Sequence, residues 1–235
     1  MAGKSSQQVK TTIIQGILGG VHPPGSQLPG ERELAARLGV GRATLREALQ
    51  GLERDGWVSI SHGRTTVVND FFTQGNLNVL TLLADQAAKL PDLIIHLLEV
   101  RKVLAPEYAR EAVRYEPARV VAYLAEADRL DEGADRFAGY DWGLHRTLAI
   151  LSRNPIYPLI LNGFSRLYLQ MAPRYFQLGE GRDASRSFYQ RLLQAAMDRD
   201  PQHAENITRE VMQQAGEIWN RVTSGGLAAA QRLGG

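Results

Sequence analysis

From Glu31 to Val68 the spacing of apolar positions changes twice, and each change marks a new element. Leu34, Ala35 and Leu38 recur every three or four residues, as on one face of a short helix. Gly39, able to take positive φ, stops that helix. Leu45, Leu49 and Leu52 then mark one face of a second helix running from about Arg42 to Asp55. Its opposite face, and its first turn above all, carries Arg42, Thr44 and Arg46. Gly56 ends it, and Trp57–Ile60 and Thr65–Val68 read as two strands around Ser61-His62-Gly63-Arg64. Two helices joined by a tight turn and followed by a hairpin predict a winged helix-turn-helix whose second helix enters a major groove. Upstream, Val9, Ile13, Ile14, Ile17 and Leu18 form a stripe from about Gln8 to Leu18. This stripe predicts a third helix packed beneath the other two.

Beyond Val68 the period is helical to the end. The pattern predicts helices over Asn76–Ala88, Pro91–Tyr115, Ala118–Ala138, Asp141–Ser152, Ile156–Phe176, Arg182–Arg199 and Gln202–Val222. Pro91, Pro117, Pro155 and Pro201 fall at or near helix starts, where a missing N–H costs little. The expected fold is therefore mainly α: a winged helix-turn-helix domain over residues 1–70, a linker over 71–78 and an all-helical bundle over 79–235. Bundles place ligand sites between facing helices, which is where a site in the second domain is to be sought.

Composition narrows the setting. The chain has no cysteine, which excludes disulfides and thiolate metal sites. No apolar run approaches the roughly 18 residues of a membrane span, so a cytoplasmic protein without membrane contact is expected. The net charge is only +2, and residues 1–75 hold all of that excess, with eight Lys/Arg against six Asp/Glu. DNA affinity must then come from where the arginines point rather than from bulk charge. A glycine between two donors, as in His62-Gly63-Arg64, suits a wing tip that reaches into a minor groove.

Pro24-Gly25-Ser26-Gln27-Leu28-Pro29-Gly30-Glu31-Arg32-Glu33-Leu34-Ala35 and Arg42-Ala43-Thr44-Leu45-Arg46-Glu47-Ala48-Leu49 resemble the winged-helix signature of the GntR family of bacterial transcription regulators. Three further stretches resemble its fatty-acid-responsive FadR branch: Gly63 to Asn78, Asn154 to Gly163, and Gly216-Glu217-Ile218-Trp219. The resemblance implies that Arg42 and Arg46 read guanines through bidentate bonds. It implies that Arg32 and Thr44 hold the DNA backbone, and that His62, Gly63 and Arg64 form the wing contact. It also implies a homodimer on a palindromic double-stranded operator, and long-chain acyl-CoA as effector. The positions matching the acyl-CoA pocket are Arg101, Tyr175, Arg209, Gly216 and Trp219. Gly30 and Gly41 stand where the family often has polar residues, and Met212 and Ala215 where it usually has smaller or hydroxylated ones.

Asp141 and His145, four apart, share a helical face. Related effector domains use such a pair with two more histidines to hold a metal, and Tyr189 and Gln214 stand about where those would be sought. Two ligands make too small a first shell, so a hydrogen-bonded pair lining a cavity is the plainer expectation. A regulator sensing a small carboxylate, with or without a metal, is the alternative to acyl-CoA sensing. An enzyme using Asp141 and His145 as acid and base is disfavoured, because no nucleophile motif, phosphate loop or complete metal set accompanies them.

Overall fold

The computed structural model describes the backbone of residues 5–61, 65–84 and 90–233, with side chains as far as Arg221, Pro91 excepted. Contacts divide the chain into two compact units, Met1–Leu82 and Leu83–Gly235. Each is described by itself.

In the first unit, α1 (Ser6–Leu18) starts at a capping box: the Ser5 hydroxyl accepts from the Gln8 amide while the Gln8 side chain accepts from the Ser5 amide. Its buried face, Val9, Ile13, Ile14 and Ile17, packs on α3 (Arg42–Asp55), as the apolar stripe predicts. α2 (Glu31–Leu38) packs on α3 through Leu34 and Ala35. The two strands are shorter than expected, β1 (Val58–Ser59) pairing antiparallel with β2 (Val67–Val68) so that Val58 faces Val68. A third edge comes from a segment whose flanking prolines argue against a strand. Leu28 donates its amide to the Thr66 carbonyl at 2.8 Å, and Val68 donates to the Ser26 carbonyl at 2.8 Å. Pro24 and Pro29 lie just outside that pairing, where no donor is needed.

Residues 71–78, expected as a linker, begin with a short helix, α4 (Phe71–Gln74), started by the Asp70 carboxylate accepting from the Phe72 amide. Phe71 stacks on the buried Trp57 at 4.6 Å, and the Asn76 side chain donates to the Arg54 carbonyl at 2.9 Å. This segment therefore packs against the end of α3. Gly56 is required there: its φ is +87°, and an added Cβ would meet the Gln74 carbonyl oxygen at 2.5 Å. α5 (Asn78–Leu83) follows.

The second unit consists, among the described residues, of α6 (Pro91–Tyr115), α7 (Pro117–Leu124), a 3-10 turn (Ala127–Arg129), α8 (Ala134–Leu151), α9 (Ile156–Phe176), α10 (Gly179–Met197) and α11 (Pro201–Leu233). α6 lies along α11 and also touches α8; α8 pairs with α9, and α10 packs on α11 and α7. Fully buried Tyr108, Leu144, Leu148, Leu161 and Phe176 sit among these helices.

The single helix expected over Ala118–Ala138 is two. It breaks at Leu124, and the Asp131 side chain accepts from the Gly133 amide to close the turn before α8. Arg182 and Arg186 of α10 both bind Glu132 in that turn, at 2.8 and 2.7 Å. α8 then runs through Gly139 unbroken, because Phe137, Ala138, Asp141 and Leu144 form one continuous buried face. That burial outweighs the roughly 1 kcal/mol cost of an interior glycine. α11 likewise continues beyond the expected end at Val222.

Candidate functional site

The first candidate surface is the α2–α3 corner. Neither helix has a side-chain cap, since Gly30 and Gly41 hold the N-cap positions. Arg42 and Arg46, four apart on α3, are exposed; Arg32 on α2 is exposed too, and Thr44 is half-buried. Arg46 carries a defined partner, its Nε donating to Glu31 Oε2 at 2.7 Å across the two helices. At the other end of α3 the Glu53 carboxylate accepts from the Ile60 amide at 2.9 Å, fixing the strand that leads into the wing. The expected wing contacts His62, Gly63 and Arg64 lie outside the described residues.

The second candidate is a cavity of about 90 Å³ inside the helical unit. Its wall is largely apolar: Leu97 and Leu98 from α6, Phe164 and Met171 from α9, Phe188 from α10, and Met212 and Ala215 from α11. Of the five expected ligand residues, Arg101, Tyr175 and Trp219 line it. Arg209 and Gly216 do not. Arg209 is exposed on the outside of α11 and binds Glu205 at 2.6 Å. Gly216 is buried beneath Lys102, whose Cε lies 3.2 Å from where its Cβ would stand. The cavity face of α11 follows Val211, Met212, Ala215 and Trp219 instead.

One polar cluster interrupts the apolar wall. Asp141 accepts hydrogen bonds from Tyr168 at 2.5 Å and Tyr189 at 2.9 Å, and it faces the Arg101 guanidinium at 3.7 Å. Arg101 also lies over the Tyr168 ring, 4.9 Å from its centroid. Burial opposes the Arg101 cation, yet Tyr168 and Asp141 together raise its pKa above the ordinary arginine value. Burial and the neighbouring Asp141 charge push the Tyr168 and Tyr189 phenols well up, so both stay protonated and donate. Among the described residues the buried Tyr175 hydroxyl has no hydrogen-bond partner.

Asp141 and His145 share the expected face but are not hydrogen-bonded to one another. His145 Nε2 is 3.7 Å from Asp141 Oδ2, and its Nδ1 is bonded to the Tyr108 hydroxyl at 2.8 Å. Burial, with the Arg101 charge second, lowers the His145 pKa to about 4. The ring is therefore neutral, with its proton on one of the two nitrogens. Among the described residues no three His, Cys, Asp or Glu side chains come together as a metal site. Tyr189, sought as a ligand, instead donates to Asp141, and Gln214 is exposed.

Sequence reasoning missed Tyr168, Ser185, Phe188 and Met171, all on the cavity wall. A signal existed for the site as a whole: Ile94, Leu97, Leu98 and Arg101 follow one helical stripe, and an arginine completing an apolar stripe is unlike core.

Comparison with known proteins adds three findings. The profile of the family described as "Bacterial regulatory proteins, gntR family" matches residues 5–68, and that of the "FadR C-terminal domain" matches residues 69–227. The fatty acid metabolism regulator protein of Cronobacter sakazakii is 43% identical over 213 residues, covering 89% of this chain and 88% of the relative. That of Edwardsiella ictaluri is 42% identical over 214 residues, covering 91% and 90%. Among solved structures, Lar, described as controlling expression of the Listeria monocytogenes agr system, superposes with a TM-score of 0.61 at 18% identity. It covers 94% of this chain and 99% of its own, a likeness of fold.

Proposed function

Since the chain belongs to the GntR family of bacterial regulatory proteins and carries a FadR C-terminal domain, we propose that it is a sequence-specific regulator of fatty-acid metabolism genes which leaves its operator when long-chain acyl-CoA binds. It is a regulator and not an enzyme. The observation that carries the effector reading is the apolar cavity with Arg101, Tyr175 and Trp219 on its wall. Each methylene desolvated there contributes about 0.8 kcal/mol. At the roughly 10–15 Å³ that each water-sized group needs, about 90 Å³ takes six to nine of them.

We infer that a longer chain displaces side chains, Met171 and Met212 being the flexible ones on the wall. That makes binding selective for an opened state of the bundle, which is what an effector must do to shift DNA affinity. Linkage then requires operator DNA to weaken acyl-CoA binding by the same factor. Arg209, exposed on α11, is our candidate for holding CoA phosphates. Gly216 on the same helix is our further candidate for a ligand contact. A two-fold homodimer in the cytoplasm on a palindromic operator completes the reading, because one recognition helix spans only a half-site. Among the described residues no helix is long and apolar enough to cross a membrane.

The Arg101 cation inside so small a cavity favours one second reading, a short carboxylate as effector. Operator binding titrated with acyl-CoA thioesters of increasing length, with calorimetry alongside, separates the two. Long chains should release the wild type from DNA where free CoA does not, and Trp219→Ala should weaken ligand binding while leaving DNA affinity intact. If no acyl-CoA binds more tightly than about millimolar, roughly −4 kcal/mol, the acyl-CoA reading is lost and short carboxylates take its place.

A further inference from the structure

The ion pair between Glu31 and Arg46 does not fit a stabilising role. It joins residues 15 apart, on different helices, with side chains 36% and 66% exposed. Pairs that exposed contribute little to stability. It also places a carboxylate on the surface that the DNA reading turns toward phosphates, where it costs affinity. Glu33 and Arg37, a pair within α2, show the ordinary alternative, one helical turn apart on a single helix.

What the pair does supply is geometry. Glu31 is the first residue of α2, behind a glycine that offers no cap of its own, and its carboxylate reaches α3 rather than its own helix end. Its oxygen takes the Nε of Arg46, so the two terminal amino groups remain for other partners. An arginine can approach a guanine end-on through both terminal groups, or side-on through Nε and one of them. With Nε engaged, only the end-on fork is left. The carboxylate is also the less exposed member, so the anchor sits inward and the fork outward.

We propose that Glu31 is a positioning residue for base reading, holding Arg46 in the end-on orientation that a bidentate contact to a guanine O6 and N7 needs. This rests on α3 being the recognition helix. Lost orientation shows as lost discrimination at one base pair, not as lost affinity overall.

The test uses the full chain, an operator selected from random DNA, and every single-base variant of that operator. Arg46→Ala should flatten the preference at one position of each half-site. Glu31→Ala should flatten the same position by about tenfold, within the discrimination one bidentate contact provides, while non-specific affinity holds or rises. Glu31→Gln, which keeps an acceptor for Nε, should retain most of the preference. The double variant should be no flatter than Arg46→Ala alone. Equal melting temperatures of wild type and Glu31→Gln keep folding out of the comparison. If Glu31→Ala weakens all sequences alike, or its effect adds to that of Arg46→Ala, the positioning role falls and the DNA reading stands. If Arg46→Ala leaves every base preference unchanged, the assignment of α3 as reader falls first and the positioning role with it.

Discussion

Replacing Asp141 by asparagine tests what holds the cavity wall together. The carboxylate is 8% exposed and the facing Arg101 side chain 12%, so neither charge is screened much by solvent. At 3.7 Å and an effective dielectric constant near 20, their mutual attraction is about 4–5 kcal/mol. Asparagine keeps the shape and one carbonyl oxygen, so either the Tyr168 or the Tyr189 hydrogen bond survives. It does not keep the charge, and breaking a buried pair from one side costs about 3–5 kcal/mol because the other charge is left behind. With one hydrogen bond retained, the expected loss is about 3 kcal/mol. The assay is urea or thermal unfolding of the full chain by calorimetry, which resolves units that unfold separately. Removing the stranded charge should recover part of the loss: in the Asp141→Asn background, Arg101→Met should cost at least about 2 kcal/mol less than it does in the wild type. A loss under about 1 kcal/mol for Asp141→Asn, outside the 3–5 kcal/mol range, would mean that the cavity solvates Arg101 and that the pair is not a structural unit.

Two further outcomes follow from single groups. His145 has its pKa lowered from 6.5 to about 4 by burial, so its neutral form is worth most above pH 6.5 and that stability drains away as the pH falls toward 4. Between pH 7 and 5 the loss is about 2 kcal/mol, and His145→Phe should remove that slope; parallel pH–stability curves for the two proteins would contradict the assignment. At Gly56 the +87° φ and the Gln74 oxygen 2.5 Å from a would-be Cβ act together. Left-handed strain alone costs about 1–2 kcal/mol, so Gly56→Ala should destabilise the first unit by at least about 2 kcal/mol. An unchanged melting temperature would show that the α3–α4 corner yields.

The periodic elements are legible in the sequence itself. Leu45, Leu49 and Leu52 predict α3, and the stripe from Val9 to Ile17 predicts α1, because burial on one face of a helix imposes its period on the sequence. Gly39 and Gly56 likewise announce the ends they cap, both with positive φ. What escaped were the features that depend on partners far along the chain. The Ser26–Leu28 edge has no strand pattern of its own and exists because β2 offers it the Thr66 carbonyl. The break after Leu124 is held by Arg182 and Arg186, more than 50 residues downstream.

The same division runs through the candidate site. Arg101, Tyr175 and Trp219 were marked by resemblance and meet at one cavity, yet Arg209 and Gly216, marked in the same way, stand off it. Helical spacing says which residues share a face of α11, whereas which face looks inward is decided by how α6 and α10 pack against that helix. The spacing of four puts Asp141 and His145 on one helical face, but the expected hydrogen bond between them is not made: their hydrogen bonds go to Tyr168, Tyr189 and Tyr108 on three other helices. Local sequence determines secondary structure and its caps because those interactions span a few residues. The charge state of His145 and the partners of Asp141 were decided only by tertiary packing, because desolvation and hydrogen bonding depend on every helix that closes over them.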